Sequence, residues 1–240
     1  MMKLYLYLLL DESGSMQDRR SMVVNGYNEF IQKQQRVGGE EECLVSIFFF
    51  NDTVRELCNN VPLKDVEPLK NEDYNPVSTT ALLDAMDHVL TRIRDTPPSE
   101  EGVEVRHMLL VMTDGEENAS TRMTQNRLRQ LLDTTPVEVV YMGSNQDAIL
   151  NGAGMGANRD SSLAYDDMFM IEAIDSLGNA VGRVRSGETR NIVFTPQERA
   201  RSGGGRGLGG RGYGRGLGGI DFFSQEHSQD SQGSTDTLLL

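Results

Sequence analysis

The sequence predicts an α/β protein: a doubly wound, Rossmann-like, mostly parallel six-stranded sheet with one antiparallel hairpin at its edge. Three observations predict it. Apolar runs of strand length alternate with segments of helical periodicity, the pattern of a sheet covered by helices on both faces. Carboxylate and hydroxyl residues cluster where two of those runs stop and just before a helical segment begins. A turn signal, Asn51-Asp52, separates two strand patterns that read as hairpin partners.

The elements follow in order. Lys3–Leu10 is a continuous apolar strand, and Val23, Tyr27, Phe30 and Ile31 then recur at helical spacing. Cys43–Phe50 is a second strand, with Thr53–Leu57 as its antiparallel return. Leu82, Ala85, Met86, Val89, Leu90 and Ile93 form the cleanest amphipathic helix of the chain. Arg106–Thr113 reads as strand, Thr121–Leu132 as a weaker helix, Val137–Met142 as strand, and the region around Gln146–Leu150 as a short helix. Ser162–Tyr165 is a small edge strand, and Met170, Ile174, Leu177, Val181 and Val184 mark a last helix.

Composition sets limits on function. The chain has 240 residues, 38% hydrophobic and 25% charged, which suits one core plus a tail. Its formal net charge of −13 argues against a general polyanion binder, since phosphate contacts need clustered Lys and Arg. Cys43 falls inside a strand pattern, so a buried thiol in a reducing, cytoplasmic compartment fits better than a disulfide framework with Cys58. Met1–Leu10 is short for a secretory signal, lacks a small-residue cleavage site and runs straight into the polar motif that follows. No run approaches the roughly 20 apolar residues of a membrane helix, so no membrane association is expected.

Near Arg201 the composition changes. Domain boundaries are placed at 1–195 for the folded domain, 196–219 for a flexible Gly/Arg-rich linker and 220–240 for a disordered polar, mildly acidic tail. Arg206, Arg211 and Arg215, spaced by glycine around Tyr213, resemble RNA-binding RGG segments, in which Arg supplies phosphate contacts and stacking. The tail also carries Ser224-Gln225, Ser228-Gln229 and Ser231-Gln232, which resemble sites for Ser-Gln-directed kinases.

The polar residues at strand ends suit a hard divalent cation. Asp11-Glu12-Ser13-Gly14-Ser15 follows the first strand, Thr79-Thr80 precedes the amphipathic helix, and Thr113-Asp114-Gly115 closes a later strand. Mg²⁺ takes oxygen ligands in near-octahedral geometry and keeps several waters, so a few oxygens can hold it with a position left over.

Asp11-x-Ser13-x-Ser15, Thr80 in Thr-Ala-Leu-Leu-Asp-Ala and Thr113-Asp114-Gly115, in this order, resemble the metal-ion-dependent adhesion site of von Willebrand factor A domains. The resemblance covers roughly residues 3 to 194 and extends to stand-alone members in bacteria and viruses, which the stretch Gly143-Ser144-Asn145-Gln146-Asp147 is similar to. It implies that Ser13, Ser15 and Thr80 contact Mg²⁺ or Mn²⁺ through hydroxyls, and that Asp11 and Asp114 act directly or through water. It also implies a partner protein whose Asp or Glu completes the metal shell. One departure stands out: Ser78, Thr79 and Thr80 are consecutive where the family has a small residue before its threonine. Thr80 is chosen because it lies immediately before Ala81-Leu82-Leu83-Asp84. Without metal, Asp11 and Asp114 are expected to repel each other and loosen the loops.

Other chemistries fit less well. A phosphotransferase of the haloacid-dehalogenase type needs a second Asp where Ser13 stands. Gly152-Ala153-Gly154-Met155-Gly156 lacks the spacing of a dinucleotide fingerprint and reads as a loop. His88, His107 and His227 are remote in sequence from the motif, so no catalytic residue is assigned and no enzyme is expected. Glu12, Asp84, Glu116 and Glu117 either deepen the negative potential of the site or are solvated surface charges. The expectation is a monomeric, divalent-cation-dependent protein-binding adaptor. The alternatives are an RNA-binding adaptor acting through the tail and a metal-dependent hydrolase.

Overall fold

The computed structural model describes residues 2–37, 42–96, 101–115, 117–144 and 148–203. Six strands form one sheet: β1 (Met2–Asp11), β2 (Glu42–Phe50), β3 (Val54–Pro62), β4 (Glu104–Thr113), β5 (Glu138–Gly143) and β6 (Ser162–Ala164), in the spatial order β3-β2-β1-β4-β5-β6. β3 pairs antiparallel with β2, and every other pairing is parallel. The doubly wound sheet with an antiparallel edge hairpin is therefore the fold.

Alternation of side chains along the strands explains the layers. Leu4, Leu6, Leu8 and Leu10 of β1 join Met108, Leu110 and Met112 of β4 on one face, beneath α1 (Arg20–Arg36) and α5 (Met170–Arg185). Tyr5, Tyr7 and Leu9 point the other way, with Leu109 and Val111, beneath α2 (Leu82–Arg94) and α3 (Gln125–Thr134). Burial on both faces is why β1 reads as an unbroken apolar run rather than an alternating one. Each fully buried Leu contributes roughly 1.5–3 kcal/mol, so this strand anchors both halves of the core.

Some boundaries differ from expectation. β3 runs to Pro62, beyond the predicted Leu57, with register shifts between Val45 and Phe48. α3 starts at Gln125 rather than Thr121, because the preceding backbone N–H groups are taken by Asp84 and Thr124 caps the helix by accepting from Arg127 N–H. Gly152 and Gly154, expected in a loop, lie in α4 (Ala148–Gly154), where Gly152 lets the helix approach Ser162 of β6.

The linker assigned from residue 196 does not begin there. Pro196–Arg201 is a helix, α6, opened by a capping box in which Thr195 and Glu198 satisfy each other's backbone N–H groups. Arg183 of α5 holds the Glu198 carboxylate with two hydrogen bonds of 2.8 and 2.9 Å, and Gly203 then bridges to Tyr165. The expectations for residues 204–240, including the Arg-Gly segment, the Ser-Gln pairs and the disordered tail, lie outside the described residues.

Candidate metal centre

In the strand order, the chain leaves β1 toward β2 on one side and toward β4 on the other. Ligands in open α/β sheets bind at such a switch point, beyond the carboxyl ends of the strands. Asp11 is the last residue of β1 and Thr113 the last of β4, so the predicted segments converge at that point.

Asp11 is buried and fully engaged. Its Oδ1 accepts from Ser13 N–H at 2.8 Å and its Oδ2 from the Thr113 hydroxyl at 2.5 Å. Burial pushes the Asp11 carboxyl above the usual range, against those hydrogen bonds from Ser13 and Thr113, and the charge of Asp114 adds to the rise. The Tyr74 hydroxyl donates to the Asp11 carbonyl, pinning the strand end from outside.

The hydroxyls continue outward from Asp11. Ser13 Oγ lies 3.0 Å from Ser15 Oγ, and Ser15 donates to Asp114 Oδ1 at 2.7 Å. Gly14–Arg19 forms a 3-10 turn that carries Ser15 toward β4, with Met16 buried beneath it. Ser144 donates to the Asp114 carbonyl at 3.0 Å, and the Tyr165 hydroxyl to the Thr113 carbonyl at 3.2 Å. Of the stretch that follows β5, residues 145–147 lie outside the described residues.

Thr80 is brought in by a tied loop. Val77 N–H donates to the Glu12 carbonyl at 2.9 Å and Gly14 N–H to the Ser78 carbonyl at 3.0 Å, with Ser78 held at a φ of 68°. Asn118 grips Thr80 from both sides, accepting its N–H at 3.0 Å and donating to its carbonyl at 3.1 Å. Thr80 is buried while Thr79 is exposed. A methyl group on Gly115 would sit 3.3 Å from Thr80 Oγ1 and 3.8 Å from Ser15 Oγ, so both hydroxyls border the space that Gly115 leaves clear. Asp11, Ser13, Ser15, Thr80 and Asp114 are thus one cluster.

Two features correct or sharpen the sequence reading. The apposed carboxylates do not simply repel, because Arg19 donates to Asp114 Oδ2 at 2.5 Å and to the Ser15 carbonyl at 2.7 Å, and its other nitrogen pairs with Asp167. Burial works against the charge on Arg19, but the hydrogen bond to Asp167 and the fields of Asp114 and Asp167 outweigh it. The flanking acids, left open between field charges at the site and solvated surface charges, are held by protein donors wherever they are described. Glu12 is buried, paired with Arg55 at 2.8 Å, and accepts from Asn75 N–H. Asp84 accepts from the N–H groups of Thr121, Arg122 and Met123, and Glu117 from those of Leu83, Ala119 and Ser120. Glu116 lies outside the described residues.

Sequence reasoning missed Arg19, Asn118, Asp167 and the Thr113 hydroxyl. Only Arg19 left a usable signal, a cation four residues beyond Ser15, and that becomes meaningful once the Gly14–Arg19 turn is known.

The donors suit a hard cation. Two carboxylates and three hydroxyls offer oxygen alone, the preference of Mg²⁺ and Mn²⁺, with none of the nitrogen or sulfur that zinc favours. Among the described residues no group of three or more His, Cys, Asp and Glu side chains could hold a metal, so any cation held here depends on the hydroxyls. The space beside Gly115 is bordered by two of those hydroxyls, Thr80 Oγ1 and Ser15 Oγ.

The sequence model of the von Willebrand factor type A domain matches residues 6–176. No curated protein gives a significant match. Among solved structures, proximal thread matrix protein 1 from the mussel byssus, in a form with a zinc-occupied MIDAS motif, aligns at 16% identity with a TM-score of 0.54, covering 77% of this chain and 48% of that one. The von Willebrand factor type A protein from Catenulispora acidiphila aligns at 14% identity and TM-score 0.51, over 74% of this chain and 42% of that one. The pilus adhesin SpaC from Lactobacillus rhamnosus GG, in an open conformation, aligns at 12% and 0.56, over 77% and 30%. This chain therefore spans less than half the length of each, and at such identities the likeness is one of fold.

Proposed function

The chain belongs to the von Willebrand factor type A domain family, and from that premise we propose that it is a divalent-cation-dependent protein-binding module with a metal-ion-dependent adhesion site. The observation that carries this reading is the cluster of Asp11, Ser13, Ser15, Thr80 and Asp114 at the switch point between β1 and β4.

Each residue has a role set by its surroundings. Ser13, Ser15 and Thr80 offer hydroxyl oxygens. Asp114 supplies a carboxylate from the loop that leaves the neighbouring strand β4. Asp11, with both oxygens already accepting hydrogen bonds, orients Ser13 through its N–H and links to β4 through Thr113. A bound Mg²⁺ or Mn²⁺ supplies an electrophilic position, incompletely neutralised by neutral hydroxyls, at which a partner's Asp or Glu is attracted. The tied loops keep the oxygens in place before the partner arrives, so little ordering cost is left for the binding step.

Binding without turnover is the reading favoured here. His107 stacks on Tyr5 with ring centroids 5.0 Å apart, and His88 meets Phe48 edge-on, so each is engaged away from the cluster. Among the described residues no helix is long and apolar enough to cross a membrane.

The test is a pull-down with the full chain in Mg²⁺ and in chelator, for wild type and Asp114→Ala, alongside calorimetry of Mg²⁺ and Mn²⁺ uptake. Partners retained by wild type in Mg²⁺ and lost in both other conditions support the proposal. Folded wild-type protein that takes up neither ion refutes it.

A further inference from the structure

We propose that Arg19 is a built-in competitor of the divalent ion: its guanidinium occupies Asp114 when metal is absent and must give up that carboxylate for metal to bind. The inference rests on the metal-site reading above and adds what sets the site's cation affinity.

Three observations support it. One nitrogen, Nη1, reaches both Asp114 Oδ2 at 2.5 Å and the Ser15 carbonyl at 2.7 Å, so the positive group sits against two of the five clustered residues. The Asp114 side chain is only 3% exposed and that of Arg19 19%, so water screens the pair little. Asp114 is divided between two partners, Ser15 on Oδ1 and Arg19 on Oδ2, which leaves neither oxygen without a donor.

A place for the displaced guanidinium is already built. Nη2 of Arg19 is paired with Asp167 Oδ2, while Asp167 Oδ1 is buried and has no hydrogen-bond partner. Carboxylates pair best with Arg through two parallel hydrogen bonds. An Arg19 released from Asp114 can therefore take both oxygens of Asp167, satisfying the atom now left unpaired. Asp167 lies in the turn Asp167–Phe169 that leads directly into α5. The exchange would pass from the site to the start of that helix.

The sign of the effect follows from charge. A cation held against Asp114 opposes a doubly charged ion arriving at the same carboxylate, and in a poorly screened site that opposition is substantial. It also stabilises the metal-free loops, which otherwise hold two carboxylates facing one another.

Titration calorimetry with Mg²⁺ and thermal melting in chelator, on the full chain, test the idea with wild type and Arg19→Gln. The expected result is Mg²⁺ affinity at least tenfold higher in Arg19→Gln together with a lower melting temperature in chelator. Equal or weaker Mg²⁺ binding by Arg19→Gln, with wild type binding normally, overturns the role of Arg19 and leaves the metal site standing. Absence of uptake by both folded proteins removes the metal site and this inference with it. Should Arg19→Gln fail to fold, Arg19→Met replaces it: Met keeps a flexible, unbranched apolar stem to pack in the same place and removes the charge. Its Mg²⁺ affinity should still rise severalfold, and an unchanged value overturns the proposal.

Discussion

The hydroxyl of Thr113 donates to Asp11 Oδ2 at 2.5 Å, joining the last residues of two neighbouring parallel strands. Both residues are about 1% exposed. The bond therefore holds a carboxylate that burial disfavours, and it sets the spacing between the loops that leave β1 and β4. Fold and site meet in this contact, because the same residues end the strands and begin the loops that carry Ser13, Ser15 and Asp114.

Thr113→Val keeps the shape of the side chain and removes the donor. An unsatisfied buried acceptor costs about 1–3 kcal/mol, and for a domain of this size each 1 kcal/mol moves Tm by roughly 2–4 °C. Thermal melting should show a Tm lower by about 2–12 °C, with Thr113→Ser close to wild type. A Thr113→Val protein that melts with wild type would mean that Asp11 draws its support elsewhere.

Thr79 and Thr80 separate cleanly by exposure, since only Thr80 is buried against the cluster and gripped by Asn118. Thr80→Ala should reduce Mg²⁺ affinity at least tenfold, while Thr79→Ala stays within about twofold of wild type. Equal losses in calorimetry would count against Thr80 as the inward hydroxyl.

Much of this arrangement was legible in the sequence, for physical reasons that also explain the gaps. β1 and α2 announce themselves because their burial imposes a period, continuous in one and helical in the other. The five clustered residues are legible because their segments each follow or precede such an element. Asn118 and Asp167 were not, because their contacts join segments 38 and 148 residues apart and leave no periodic trace, and Arg19 left only its spacing from Ser15. Asp84 and Glu117 stay open between a field charge at the site and a solvated surface charge, because nothing local in the sequence shows that their oxygens receive distant N–H groups. The helix after Thr195 was legible in principle: Thr195-Pro196-Gln197-Glu198 carries a capping box with Pro at the first turn, a start signal overshadowed by the Gly-rich composition beyond it.

Gly115 tests the space rather than the ligands. Its backbone φ is not in the left-handed region, so Ala is tolerated by the chain, but the added methyl would stand 3.3 Å from Thr80 Oγ1 and 3.8 Å from Ser15 Oγ. Gly115→Ala should keep a Tm within a few degrees of wild type, about 1 kcal/mol at most, and lose most Mg²⁺ uptake in calorimetry. Full uptake by this variant would place the cation somewhere other than between these hydroxyls.

Asp84 ties α2 to the loop before α3, and its titration gives the fold a defined acid response. Burial alone would raise its carboxyl pKa, but the backbone N–H groups of Thr121, Met123 and Arg122, with the Arg122 charge, outweigh burial and hold it below the usual range. A folded-state pKa below the unfolded value of about 3.9 means that the native state binds its proton less readily. The stabilisation is therefore complete above about pH 5 and is lost as pH falls through the depressed folded value. Asp84→Asn removes the charge and one acceptor, so urea unfolding at pH 7 should show it less stable than wild type by about 2–3 kcal/mol. The difference should shrink steadily below pH 4, as wild type comes to carry a protonated, equally neutral side chain. A gap of the same size at pH 7 and pH 2.5 would show that shape, and not the charge of Asp84, holds the loop.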